Sequence, residues 1–253
     1  MITEVSSVLT QIATSDDTVE HRKQFDKTLY LESQLELLLV EAGLMSDLFA
    51  RTDRLERIPM SDAEVYYLHD LDLGCQHDSI LHQLIADVPW RQENILVWRK
   101  VYPQPRLIAW YGDRGSDYTY SGLSLTPLPW TDLLLDIRKR VEAVAAAAFN
   151  SVLLNYYRDN RDSMGFHSDD EPELGARPVI GSLSLGQERT FVMKHKVSKL
   201  AKPVRLSLAS GSLLLMKGDT QKYWKHGIAK EVHPLGPRVN LTFRQIAARD
   251  AAG

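Results

Sequence analysis

In Gly165-Phe166-His167-Ser168-Asp169 an imidazole and a carboxylate stand two positions apart. On extended chain, side chains alternate with period two, so both groups point to the same side. His226, in Trp224-Lys225-His226-Gly227, follows a later apolar run and offers a third ligand. Two histidines and one carboxylate on one face of a metal leave the remaining positions open, as in non-haem Fe(II) oxygenases. A structural zinc site would need four closed ligands, usually including cysteine, and Cys75 is the only cysteine. His-x-Asp is also a common loop pattern, in which both side chains simply face water.

Pro237-Arg238-Val239-Asn240-Leu241-Thr242-Phe243-Arg244 alternates without a fault. Val239, Leu241 and Phe243 form one face; Arg238, Asn240, Thr242 and Arg244 form the other. At a sheet edge the polar face would lie in water. On an inner strand about 20 Å long, the two arginines would reach in from its ends and grip a small dicarboxylate, each by a bidentate pair. Ser151 to Tyr157 offers a matching face of Leu153, Asn155 and Tyr157, whose amide and phenol can bond a carboxylate. Its other face, Val152, Leu154 and Tyr156, reads as core.

Taken together and in order, these segments resemble the AlkB-type nucleic-acid dealkylases. The resemblance rests on Asn155-Tyr156-Tyr157, His167-Ser168-Asp169-Asp170-Glu171, His226 and Arg238 to Arg244. It runs from about Pro105 to Gln245, through Pro105-Arg106-Leu107, Trp110-Tyr111-Gly112, Tyr118-Thr119-Tyr120-Ser121-Gly122 and Arg189-Thr190-Phe191. It implies a double-stranded β-helix (jelly roll) with Fe(II) on His167, Asp169 and His226. It further implies 2-oxoglutarate on Asn155, Tyr157, Arg238 and Arg244, with Asn240 and Thr242 in support. The implied reaction uses O2, converts 2-oxoglutarate to succinate and CO2, and hydroxylates an alkyl carbon on a base nitrogen. Adducts of this kind, from 1-methyladenine or 3-methylcytosine in DNA or RNA, fall apart to aldehyde and restored base.

For the substrate the resemblance implies less, and each residue keeps a plainer alternative. Tyr118, Tyr120 and Ser121 would cover a flipped base, or form a hydrogen-bonded turn. Glu171 would stand near the base, or be a solvated carboxylate; Arg106 would serve the substrate, or a surface salt bridge. Trp98 would fill the gap left by a flipped base, or belong to the core. Arg189, Lys194, His195, Lys196, Lys199, Lys202 and Arg205 form a basic stretch suited to phosphates, or a solvated loop. His195 and His233 lack metal-type spacing and read as surface histidines.

These groups need a scaffold. Leu31, Leu35, Leu38 and Leu39 recur at helical spacing between Asp26 and Arg51, which predicts a helical N-terminal extension over residues 1–60 with no assigned role. Residues 61–253 then form the dioxygenase domain. There, Glu64 to Leu68 reads as a strand, and Asp78 as the cap of a helix carrying Ile80, Leu81, Leu84 and Ile85. Ile95 to Trp98 and Leu107 to Tyr111 read as strands separated by a turn with Pro103 and Pro105. Thr131 is the expected N-cap of a helix with a stripe of Leu134, Ile137, Val141, Val144 and Ala148. After Asn150 come short strands: Ser151 to Tyr157, Val179 to Leu185, Arg189 to Lys194, Val204 to Leu208, Ser212 to Met216 and Pro237 to Gln245. Turn signals at Gly186-Gln187 and Ser210-Gly211 separate some of them. Many short strands with turns predict a mostly β chain with flanking helices (α+β), built as a jelly roll.

Composition sets the outer bounds. The chain has 253 residues, 44% hydrophobic and 25% charged, the balance of a globular protein. No apolar run approaches the roughly 18 residues a membrane span needs, and Met1 to Thr14 lacks the pattern of a secretory signal. A lone cysteine fits the cytoplasm, and a monomer is expected. Residues 1–60 hold 11 acidic and 6 basic residues, leaving 24 basic against 22 acidic in the rest, so a nucleic-acid surface must be a local patch. Two rivals remain at this level. One is a dioxygenase of the same fold acting on a protein, lipid or small molecule. The other is a non-catalytic jelly-roll binding module, for which an open metal site would be superfluous.

Overall fold

The computed structural model describes residues 54–97, 100–116, 118–120 and 123–247; the expected helix between Asp26 and Arg51, Trp98 and Ser121 lie outside them. In chain order the strands are β1 (Glu56–Ile58), β2 (Glu64–Leu68), β3 (Asn94–Val97), β4 (Lys100–Pro103), β5 (Leu107–Gly112), β6 (Tyr118–Tyr120) and β7 (Leu123–Leu125). Then follow β8 (Ser151–Tyr157), β9 (Met164–His167), β10 (Ile180–Gly186), β11 (Arg189–His195), β12 (Val204–Leu208), β13 (Leu213–Lys217), β14 (Trp224–Ile228) and β15 (Arg238–Arg244). Among the described residues the helices are α1 (His77–Asp87), α2 (Asp132–Ala145) and the single turn α3 (Thr220–Tyr223). Among the described residues, no helix is long and apolar enough to cross a membrane.

Seven strands form a large sheet in the order β1-β2-β13-β10-β15-β8-β5, and four form a small one, β12-β11-β14-β9. The pairs between these strands are antiparallel. Among the described residues there are also two separate hairpins, β3-β4 and β6-β7. The large sheet takes in Glu56–Ile58, so it starts before residue 61. Its outer face is covered by helices: α1 packs on β10 and β15, and α2 on β10. There Ile80, Leu84, Ile137 and Val141 meet Leu154, Val239, Leu241 and Phe243. The inner face packs on the small sheet through Leu153, Tyr157, Ile180, Leu214, Phe191, Met193 and Trp224. This is the expected jelly roll, and each side chain fully buried in either layer contributes about 1.5–3 kcal/mol.

Alternation decides which face each strand shows to which core. β15 lies between β10 and β8, not at an edge, and every residue of it is buried. Its apolar residues therefore face the helices, and Arg238, Asn240, Thr242 and Arg244 face the interior between the sheets.

Several local expectations shift. Thr131 does cap α2, its Oγ1 accepting from the Leu134 amide at 3.3 Å. The helix stops at Ala145 because Ala146 adopts φ 48°, so Ala148 lies beyond it, exposed, while Ala145 and Phe149 are buried. Asp78 is not a cap: Gln76 precedes α1, and Asp78 sits in the first turn, where the helix dipole favours an acid. Pro103, expected in a turn, ends β4 opposite Asn94, a strand terminus where its missing N–H does no harm.

The β10–β11 turn depends on a glycine. Gly186 has φ +87°, and an added Cβ would lie 2.5 Å from the Pro237 carbonyl oxygen and 2.8 Å from Leu81 Cδ2. Gly186→Ala is expected to cost roughly 1–3 kcal/mol, read as a lower midpoint in urea or thermal unfolding. An unchanged midpoint would show that the turn relaxes freely.

Candidate metal and cosubstrate site

β14 pairs with β9 so that His226 stands opposite His167, with a register irregularity between His226 and Ile228. Their rings lie 4.4 Å apart, centre to centre. Gly227 permits the approach: an added Cβ would meet the Met164 carbonyl oxygen at 2.9 Å. Asp169 lies two residues past the end of β9, and ligand atoms of His167, Asp169 and His226 all lie within 4.8 Å of one another.

The surroundings fix each ligand. His167 Nδ1 lies 2.9 Å from the Gly165 carbonyl; a carbonyl only accepts, so Nδ1 carries the proton and Nε2 keeps its lone pair for a metal. That Nε2 is 3.8 Å from Asp169 Oδ1. Phe191 stacks on the His226 ring at 5.1 Å. The Asp169 amide donates to Gln221 Oε1 (2.9 Å) and Ser168 Oγ donates to the Trp224 carbonyl (2.9 Å). The carboxylate segment is thus pinned to the stretch of chain that carries His226.

Electrostatics suit a cation. Burial opposes ionisation of Asp169, but the Arg244 guanidinium and the two imidazoles outweigh it and hold the carboxyl at about 2. Burial, then the neighbouring His167, pushes His226 down to about 3, so its ring is neutral, the form that binds metals. Arg244 Nη2 donates to Asp169 Oδ1 at 2.8 Å. Asp169 Oδ2 and His226 Nδ1 are buried with no protein partner. Buried polar atoms left so are costly, and a metal held here would satisfy ligand atoms of this donor set. The residues therefore fit Fe(II).

One pocket takes in all three metal candidates and the six cosubstrate candidates Asn155, Tyr157, Arg238, Asn240, Thr242 and Arg244. Register sets Arg238 opposite Tyr157 and Asn240 opposite Asn155. Arg238 Nη2 donates to Ser184 Oγ at 2.9 Å, while its Nε and Nη1 are buried with no protein partner. Burial lowers Arg238 to about 10, yet it stays cationic at neutral pH. Asn240 Nδ2 donates to Ser182 Oγ (2.8 Å) and the Leu183 carbonyl (3.0 Å), and Thr242 Oγ1 donates to Asn240 Oδ1 (2.9 Å). These two brace the strand. The pocket thus offers buried guanidinium groups at both ends of one strand, as a dicarboxylate such as 2-oxoglutarate requires.

The remaining candidates scatter. Arg106 is 3% exposed and its Nε donates to Asn155 Oδ1 at 2.7 Å. It braces Asn155 in the pocket wall and is no surface salt bridge. Glu171 is half-buried and precedes a 3-10 turn, Pro172–Leu174, accepting from the Leu174 amide through its backbone carbonyl. Tyr118 and Tyr120 pair with Leu125 and Leu123 in the β6-β7 hairpin, a pair of strands where a simple turn was the alternative.

The basic stretch is not uniform. Arg189 is 2% exposed, so it is no phosphate contact: it lies on the inward face of β11 with Phe191 and Met193. Lys196 is engaged by Asp170 Oδ2 (2.8 Å) and the Gln221 carbonyl (2.7 Å). The His195 side chain is 4% exposed and its Nδ1 accepts from the Val197 and Ser198 amides, whereas His233 is exposed as expected. Sequence reasoning missed Gln221, Ser182 and Ser184, small polar groups with no pattern of their own. It also misread Arg189, whose period-two match to Phe191 and Met193 was the available signal.

The family model of the 2OG-Fe(II) oxygenase superfamily matches residues 64–244. Mouse alpha-ketoglutarate-dependent dioxygenase alkB homolog 3 is 46% identical over 177 residues, covering 67% of this chain and 61% of that protein. DNA oxidative demethylase ALKBH2 of mouse is 43% identical over 178 residues, 67% of this chain and 74% of the relative. The chain thus spans less than two thirds of the first of these relatives. A crystal structure of an oxidoreductase of the 2OG-Fe(II) oxygenase family from Burkholderia pseudomallei aligns with TM-score 0.50 and 13% identity, over 74% of this chain and 89% of that one, a likeness of fold.

Two outcomes follow from the metal corner. Asp169→Asn keeps the shape but removes the anionic ligand, and Mn(II) binding measured by calorimetry is expected to weaken by at least about tenfold. In the metal-free protein, His226 has a folded pKa of about 3 against 6.5 unfolded. The unfolded chain therefore takes up a proton that the folded one refuses, and stability falls as pH drops from 6.5 toward 3. His226→Asn should flatten that part of the stability–pH curve; a curve of unchanged slope would contradict the assignment.

Proposed function

The chain belongs to the 2OG-Fe(II) oxygenase superfamily, in its AlkB-type branch, and from that premise we propose that it oxidatively removes alkyl groups from nucleic-acid bases. The observation that carries this reading is one pocket where His167, Asp169 and His226 converge beneath the inward face of β15, with Arg238 and Arg244 at its ends. His167, Asp169 and His226 would hold Fe(II), which when bound supplies O2 activation coupled to decarboxylation of 2-oxoglutarate.

The chain's own residues do the rest. Arg244, bonded to Asp169, marks the metal end of the cosubstrate site, and Arg238 with Tyr157 marks the far end. Between them Asn155, held by Arg106, and Asn240, held by Thr242, give the dianion a wall of fixed dipoles. Such groups are already oriented and spend little on reorganisation when charge shifts. Their burial keeps water from competing. His167, Asp169 and His226 would leave a bound metal accessible to cosubstrate and O2. An alkylated base in a duplex must leave the stack to reach this depth, at about a few kcal/mol.

The name of one relative, a DNA oxidative demethylase, supports alkylated DNA as substrate, and the proposal extends to RNA. We place the enzyme in the cytoplasm as a monomer; its one cysteine is free and exposed.

The test is succinate release and base repair on oligonucleotides carrying 1-methyladenine or 3-methylcytosine, single- and double-stranded, beside a panel of protein, lipid and small-molecule substrates. Repair of the oligonucleotides alone is expected; turnover confined to another substrate class would refute the reading. Arg238→Lys and Arg244→Lys are expected to raise the KM for 2-oxoglutarate by about tenfold or more, since an ammonium lacks the two-pronged contact. Unaltered KM in both variants would remove the arginines from the site.

A further inference from the structure

Arg189 opens β11, and burial rather than exposure is its distinguishing feature. Its guanidinium serves three backbone carbonyls: Nη1 donates to Asp159 (3.3 Å), and Nη2 to Asp162 (3.0 Å) and Ala229 (2.7 Å). One cation thereby joins the turn after β8 to the segment after β14. Its Cζ also lies 5.7 Å from the centre of the Tyr157 ring, and the Cζ of Arg238 lies 5.0 Å from the same ring. Tyr157, itself 2% exposed, is flanked by both guanidinium groups.

Two like charges buried on one ring are costly unless something offsets them. Cation–π attraction of roughly 1–2 kcal/mol offsets only part. At Arg238, burial lowers the guanidinium's proton affinity most; Tyr157 acts in the opposite direction, and the field of Arg189 adds to the lowering. The unpartnered Nε and Nη1 of Arg238 show where a compensating anion would be received.

We propose that Arg189 is a positioning residue for the carboxylate of 2-oxoglutarate farther from the metal. It fixes the Tyr157 ring against Arg238 and sets a second positive charge behind that subsite. This rests on the reading of the site given above. The far end is identified by the strand itself, since Arg244 bonds Asp169 and Arg238 stands at the other terminus of β15.

The experiment compares 2-oxoglutarate with 2-oxopentanoate, which lacks the second carboxylate. Dissociation constants are measured by calorimetry without O2 on Mn(II)-loaded wild type, Arg189→Lys and Arg189→Met, with thermal midpoints alongside. Lysine keeps the charge but cannot span three carbonyls; methionine keeps an apolar stem and loses the charge. Affinity for 2-oxoglutarate is expected to fall about tenfold or more in Arg189→Met and by less in Arg189→Lys, with 2-oxopentanoate within about twofold throughout. Mn(II) binding should be unchanged in both. Equal weakening of the two ligands, an unaltered affinity for 2-oxoglutarate, or loss of the folded state in both variants would overturn the proposal, since Arg189 would then serve the fold alone. A wild-type protein with no preference between the ligands would instead refute the underlying site reading, and this inference with it.

Discussion

The buried pair between Arg244 and Asp169, 2.8 Å long with side chains 2% and 1% exposed, ties the large sheet to the chain that leaves the small one. Arg244 belongs to the last strand of the large sheet, and Asp169 follows the outermost strand of the small one. Removing one partner of such a buried pair typically costs about 3–5 kcal/mol. Each therefore requires the other, and the requirement fixes how the end of β15 meets the end of β9. The candidate metal ligands and the Arg244 end of the pocket are positioned by the same contact.

Around that contact the molecule separates its apolar groups into two layers. The helix-facing layer holds β15 from outside through Val239, Leu241 and Phe243. The layer between the sheets encloses the pocket and presses Phe191 against His226. With its apolar side anchored, β15 has to direct its arginines inward. Packing thus sustains a concentration of buried charge that hydrogen bonding alone would not hold.

The pocket is consequently asymmetric. At the metal end, the Arg244 charge is matched by Asp169. At the other end, Arg238 and Arg189 share Tyr157 and face the Ser184 hydroxyl and backbone carbonyls. That end carries positive charge with no matching acid in these contacts, which favours a dianion with one carboxylate placed there. Gln221 and Ser168 keep the opposite corner rigid by tying Asp169 to the chain around α3 and Trp224.

Wherever a residue's own neighbours encode its role, the sequence was sufficient. The alternation of Arg238 to Arg244 and of Ser151 to Tyr157 determined which side chains share a face, because side-chain direction in a strand follows period two regardless of context. Thr131 announced its helix because an N-cap is a local hydrogen bond. Short strands such as β9 and β14 carried too few residues for alternation to stand out, and the residue that drew notice in Trp224-Lys225-His226-Gly227-Ile228 was the histidine. The tertiary structure alone decided that β15 is central, that Arg189 is buried instead of offered to phosphates, and that Arg106 and Gln221 brace the site. Each depends on partners distant in the chain: Arg106 on Asn155, Gln221 on Asp169, Arg189 on carbonyls at Asp159, Asp162 and Ala229. An arginine's sequence neighbours say that it is charged; only the fold supplies, or withholds, the water that would otherwise surround it.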